Sequence, residues 1–131
     1  MRNNVRKENR QLSNYEQNVL LPILIKGLKN KRGKENAVSK NQIMRGLKNH
    51  GLKINGTSVT DLVRYIRIND LIVGLMASTN GYYVGSNNQD LVRYEQRLKR
   101  HEAALRKVRM CIKRQRELAA DKQLVEHSQL F

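Results

Sequence analysis

Trp, Phe, Cys and Pro are nearly absent from this chain, which has no Trp and a single residue of each of the others. A core with no Trp and at most one Phe must be aliphatic, and at 131 residues it must also be small. The lone Cys111 excludes an internal disulfide and fits a reducing, cytoplasmic setting. His50, His101 and His127 lie far apart and belong to no Cys/His cluster with ligand spacing, so neither a metal nor a cofactor is expected. No apolar run approaches the ~20 residues of a transmembrane helix. The opening MRNNVRKENR is basic but has no apolar stretch behind it of the signal-peptide kind, so no membrane partner is expected. Acids are scarce as well. The 11 Asp and Glu residues are scattered, with no metal-binding spacing, no Gly-rich phosphate loop and no spacing that supports a Ser/His/Asp or Cys/His arrangement. An enzyme is not expected.

What the chain has in excess is positive charge. Lys and Arg number 26, giving a formal net charge of +15 and a pI near 10.5. Such a surplus repels itself in a folded chain, and a polyanionic partner relieves the repulsion. Nucleic acid is favoured over a membrane surface.

Along the chain, residues 1–12 read as a flexible basic arm. Ser13 with Glu16, or Asn14 with Gln17, has capping-box spacing, and Val19, Leu20, Ile23, Leu24 and Leu28 follow at helical intervals. Pro22 inside that pattern removes one backbone donor and predicts a kink or a late helix start. The stretch KNKRGKEN, 29–36, reads as a charged loop. Ser39 and Gln42 form a second capping-box pattern before Ile43, Met44 and Leu47, and Gly51 stands where a left-handed residue would end that helix. A third helix is expected over about 58–69, with Val59, Leu62, Val63 and Ile66 as its buried face. The run LIVGLMASTNGYYV, 71–84, then reads as two strands, with Asn80-Gly81 as the hairpin signal between them. Tyr82 and Tyr83 must face opposite sides of their strand, one toward the core and the other exposed. From Asn88 the helical period returns. Leu91, Tyr94, Leu98, His101, Leu105, Val108 and Ile112 form an a/d heptad seam, and residues 121–131 read as a frayed tail.

Three helices followed by a hairpin is the winged helix-turn-helix order. The expected fold is mainly α with a small β-hairpin: a winged-helix domain over 13–86, then a long, coiled-coil-like basic helix over 87–120. In that arrangement the third helix enters a major groove about 12 Å wide and the second braces it against the backbone. Residues 40–67 carry six cations and one acid. The expected DNA-contacting residues are therefore Ser58, Thr60, Arg64 and Arg67 on the third helix, with Lys40, Arg45 and Lys48 on the second meeting phosphates. The hairpin departs from this pattern, because no Lys or Arg occurs from Leu71 through Val92. The long helix carries ten Lys or Arg and three Glu between Leu91 and Leu118. Its seam residues Leu91, Tyr94, Leu98, Leu105, Val108 and Ile112 either join a second copy in a homodimer, the favoured reading, or fold back on the first helix.

The segments GKENAVSKNQI and VTDLVRYIRINDLIVGLMASTNGYYVG, followed by basic heptads, resemble small winged-helix proteins encoded by bacteriophages and prophages. The matching positions are Leu62-Val63-Arg64, Ile66, Leu71-Ile72, Asn80-Gly81-Tyr82-Tyr83 and the heptads from Leu91. The resemblance covers most of residues 15–115. It implies a regulator of transcription or replication that binds double-stranded DNA, or alternatively an adaptor that binds a phage or host protein in a replication or packaging assembly.

Overall fold

The computed structural model describes residues 11–120. The expected frayed tail, and the expected arm except for Gln11 and Leu12, lie outside them. Helix formation begins with the capping box at Ser13: Glu16 N–H donates to Ser13 Oγ (3.1 Å) and Ser13 N–H donates to Glu16 Oε1 (2.9 Å). The helix then opens into a π-turn, Glu16–Leu20, in which Leu21 N–H reaches back five residues to the Glu16 carbonyl. Pro22 follows at once, at the start of the α-helical part, α1 (Leu21–Leu28). Proline has no N–H to give to the turn behind it and its ring crowds that turn, so the ladder widens just upstream. Of the expected kink or late helix start, the structure has the late start: regular α-helix begins only at Leu21, after a π-turn.

Two further helices follow, α2 (Lys40–Asn49) and α3 (Gly56–Ile68). The capping box expected for α2 is present in both directions, with Gln42 N–H donating to Ser39 Oγ and Ser39 N–H to Gln42 Oε1. Both helices end in the same way. After α2, Gly51 adopts φ +78°, and Leu52 N–H bonds the Leu47 carbonyl at 3.0 Å. After α3 the left-handed residue is Asp70 (φ +57°), and Leu71 N–H bonds the Ile66 carbonyl at 3.0 Å. These are Schellman closures, which satisfy carbonyls that a helix end leaves open.

The strands are shorter than the sequence pattern predicts. β1 (Leu75–Ser78) and β2 (Gly81–Val84) pair antiparallel, with Leu75 opposite Val84 and Ser78 opposite Gly81. Residues 71–74 are turn, with Leu71 and Val73 exposed, because Asp70 and Gly74 (φ +83°) redirect the chain on either side of them. The turn residues also differ from the expectation. Thr79 and Asn80 form the two-residue loop, and neither has positive φ, so this is not the Asn-Gly turn the sequence suggested. Gly81 (φ +121°) instead occupies the first position of β2. A Cβ there would lie 2.3 Å from the Val38 carbonyl oxygen, so glycine is required by the backbone approach as well as by φ.

That approach adds an edge to the sheet. Val38 and Tyr82 exchange hydrogen bonds (2.9 and 2.8 Å). Farther along, Val84 N–H donates to the Lys31 carbonyl (2.7 Å) and Gly33 N–H to the Val84 carbonyl (2.8 Å). The segment read from sequence as a charged loop therefore borders β2, interrupted by a 3₁₀ turn at Lys34–Asn36.

The core is aliphatic, as the composition requires. It joins Leu20, Leu24 and Leu28 with Ile43 and Leu47 of α2, the expected Val59, Leu62, Val63 and Ile66 of α3, and Leu75 and Val84 of the hairpin. Each such side chain contributes about 1.5–3 kcal/mol when fully buried. Tyr82 packs against this core, while Tyr83 is half-buried and not exposed as its alternate position predicts.

The chain divides into two units after Leu91. A 32-residue helix, α4 (Asn88–Ala119), begins in the first unit and forms the second. Its start is capped by Asn87 Oδ1, which accepts from Asp90 N–H (3.0 Å), while Asp90 Oδ2 accepts from Ser86 N–H (3.0 Å). No residue of α4 is buried. The described residues are thus mainly helical, with a small two-stranded sheet and a long C-terminal helix, and none of their helices is long and apolar enough to cross a membrane.

Candidate nucleic-acid interface

The start of α3 decides which of its side chains point outward. Asn55 caps it, its Oδ1 accepting from Ser58 N–H at 2.8 Å, so the helix begins at Gly56, two residues before the expected start. The four buried residues fix one face, and at 100° per residue Thr57, Thr60, Arg64 and Ile68 fall on the opposite one. All four are exposed.

Ser58 is a correction to the sequence-based set. It is half-buried, and its hydroxyl donates to Glu16 Oε2 at 2.7 Å. Glu16 is itself only 4% exposed and also receives the Ser13 N–H. A buried carboxylate needs such donors, and Ser58 is spent on that role. Its flank lies about 160° from Thr60 by helical periodicity, so the two hydroxyls never shared a groove-facing side. Thr57 takes the vacated place. The sequence signal for it was the cap at Asn55, which moves the helix start back.

Thr60 is exposed, and its Oγ1 donates to the Gly56 carbonyl (3.1 Å) while keeping its acceptor lone pairs. Arg64 is exposed, whereas Arg67 is half-buried on the edge of the same face. On α2, Lys40 turns toward α3: its Cδ lies 3.5 Å from where a Cβ on Gly56 would sit. Arg45 and Lys48, one turn apart and exposed, occupy the outer face of α2 with Asn41. Among the described residues, Lys40, Arg45, Lys48 and Arg64 form no ion pair with a carboxylate. A second contact holds the entry to α3, where the Tyr15 hydroxyl accepts from Lys53 N–H (2.9 Å) and donates to the Lys53 carbonyl (3.1 Å).

The hairpin tip offers only Thr79 and Asn80, both exposed and neutral. Cations reach this sheet by another route. Lys31, Arg32 and Lys34 belong to the segment along the edge of β2 and are exposed. Sequence reading assigned them to a loop with no fixed neighbour, because their pairing partner lies about 50 residues away.

Two other features bear on partners. A largely apolar groove between α1 and α2 is lined by Ile23, Leu24, Gly27, Ile43, Gly46 and Leu47. On α4, Leu98, Leu105, Val108 and Ile112 of the heptad seam are exposed. Leu91 is a correction here. Its Cδ2 lies 3.2 and 3.5 Å from the Cβ positions of Gly74 and Gly85, so it seats the helix start on the strand ends and is not an open dimer contact. Tyr94 is half-buried, with the Arg97 guanidinium 5.0 Å from its ring centroid. No group of three or more His, Cys, Asp or Glu among the described residues could hold a metal ion. Compared with known proteins, the chain matches no family model, no curated protein and no solved structure.

Proposed function

We propose that this chain is a winged-helix protein that binds double-stranded DNA, with α3 in the major groove and α2 braced on the phosphate backbone. The observation that carries the reading is the exposed face of α3, where Arg64 stands unpaired beside Thr57 and Thr60, with Lys40 of α2 drawn in at the helix start. Arg64 has the reach and geometry to meet a guanine edge, and the two threonines can bond base edges or phosphates. Arg45 and Lys48 set position and not sequence. Lys31, Arg32 and Lys34 give the hairpin region the charge that its own tip lacks. In biological terms this is a non-enzymatic cytoplasmic regulator of transcription or replication, of the phage or prophage kind.

The test is a mobility-shift titration against duplex DNA over a salt series. Retention should weaken steeply with salt. Arg64→Ala should narrow the gap between preferred and unrelated sequences by about 1–3 kcal/mol, whereas Arg45→Ala and Lys48→Ala should lower affinity for all sequences and each reduce the salt slope by about one. Absence of retention of any duplex at low salt overturns the proposal.

The groove between α1 and α2 favours a second reading, an adaptor for a protein partner. Its lining is largely apolar, with Lys31, Gln42 and His50 as the polar members, which suits a protein side chain better than a phosphate backbone. Recovery of a protein partner after nuclease treatment, lost on Gly46→Trp, would support it.

A further inference from the structure

We infer that α4 pairs with the α4 of a second copy of this chain, and that the two helices run antiparallel. The inference does not depend on DNA binding. It starts from the exposure of the seam: Leu105, Val108 and Ile112 are 71%, 59% and 55% exposed, on a helix about 48 Å long at 1.5 Å per residue. With Leu98 and Leu105 at a positions and Val108 at d, the residues flanking the seam on one side recur every seven. They are Glu95, Glu102, Arg109 and Arg116, the e positions. The opposite flank holds Arg97, Ala104, Cys111 and Leu118.

The order of charge along the e flank is acid, acid, base, base. In an antiparallel pair, e residues face e residues of the other helix, and this order reversed against itself is complementary. Glu95 meets Arg116 of the second copy, Glu102 meets Arg109, and both contacts occur twice by symmetry. In an antiparallel seam displaced by five residues from those flank pairs, Tyr94 lies across from Ile112, Leu98 from Val108 and His101 from Leu105. A parallel pair would instead set e against g. It would gain Arg97 with Glu102, oppose Asp90 with Glu95, and leave Arg109 and Arg116 facing Ala104 and Cys111. None of the four e residues has an ion-pair partner among the described residues, so all four charges are available to a second helix. Most other cations of the helix, including Lys99, Arg100, Arg106 and Lys107, lie at b and c positions, away from the seam.

The experiment uses the full chain, freed of nucleic acid, in sedimentation equilibrium at physiological salt. The wild type should dimerise. Glu95→Arg with Glu102→Arg makes the flank wholly basic, and Arg109→Glu with Arg116→Glu makes it wholly acidic. Each double variant should dimerise at least about tenfold more weakly, since four attractive contacts become repulsive. Mixing the two should restore association as a heterodimer. A variant exchanging all four charges should dimerise like the wild type, and because its composition is unchanged it controls for misfolding. A monomeric wild type, or double variants that dimerise undiminished, overturns the inference. So does a mixture no stronger than its components, which is the outcome for parallel helices.

Discussion

Gly81→Ala tests whether residues 37–39 are held against the hairpin. The new methyl carbon would lie 2.3 Å from the Val38 carbonyl oxygen, 2.5 Å from its carbon and 2.8 Å from Ser39 N. All three neighbours are backbone, so no side chain can swing aside. The strand and the 37–39 segment would have to separate, breaking the pair of hydrogen bonds between Val38 and Tyr82. Those bonds contribute about 0.5–1.5 kcal/mol each. Holding alanine at φ +121° costs a further ~1–3 kcal/mol. A loss of about 4 kcal/mol is expected, a large share of the 5–15 kcal/mol that typically separates folded from unfolded chains. Thermal unfolding followed by circular dichroism should show a midpoint lower by roughly 15–30 °C, at about 4–8 °C per kcal/mol for a domain of this size. A midpoint within about two degrees of the wild type would refute the placement of 37–39 on β2.

Three other outcomes follow from the same geometry. Gly46→Ala, in mid-helix with nothing within 4 Å of the added carbon, should stabilise by about 0.5–1 kcal/mol in denaturant unfolding, and a destabilisation would mean the groove is filled. Asp70→Gly should stabilise by about 0.5–1 kcal/mol, because it relieves a left-handed non-glycine residue and removes a carboxylate from the negative end of α3; an unchanged midpoint would put Asp70 outside the left-handed region. Ser58→Ala should cost about 1–3 kcal/mol in stability by withdrawing a donor from Glu16, yet leave DNA retention intact below the melting temperature. Loss of retention there would return Ser58 to the groove-facing set.

The periodic parts of this protein were legible in its sequence for local reasons. Capping boxes at Ser13 and Ser39 involve residues three apart, and the buried stripe from Val59 to Ile66 repeats with the helix itself. The hairpin was legible in kind, but its turn was displaced by one residue. Gly81 answers to Val38, 43 positions away, and not to a type I′ turn. The candidate site divides in the same manner. Arg64, Lys40, Arg45 and Lys48 could be named from charge and spacing, but the inward role of Ser58 depends on Glu16, which local pattern does not bring near.

By itself, then, the sequence determined the helices, the aliphatic core and the surplus of cations, since each is set by composition or by repeats of three, four and seven residues. Only the tertiary structure decided which hydroxyl faces outward on α3, which basic segment borders the sheet and which seam leucine is already occupied. Those are choices between residues equal in local propensity, and they are made by partners distant in the chain.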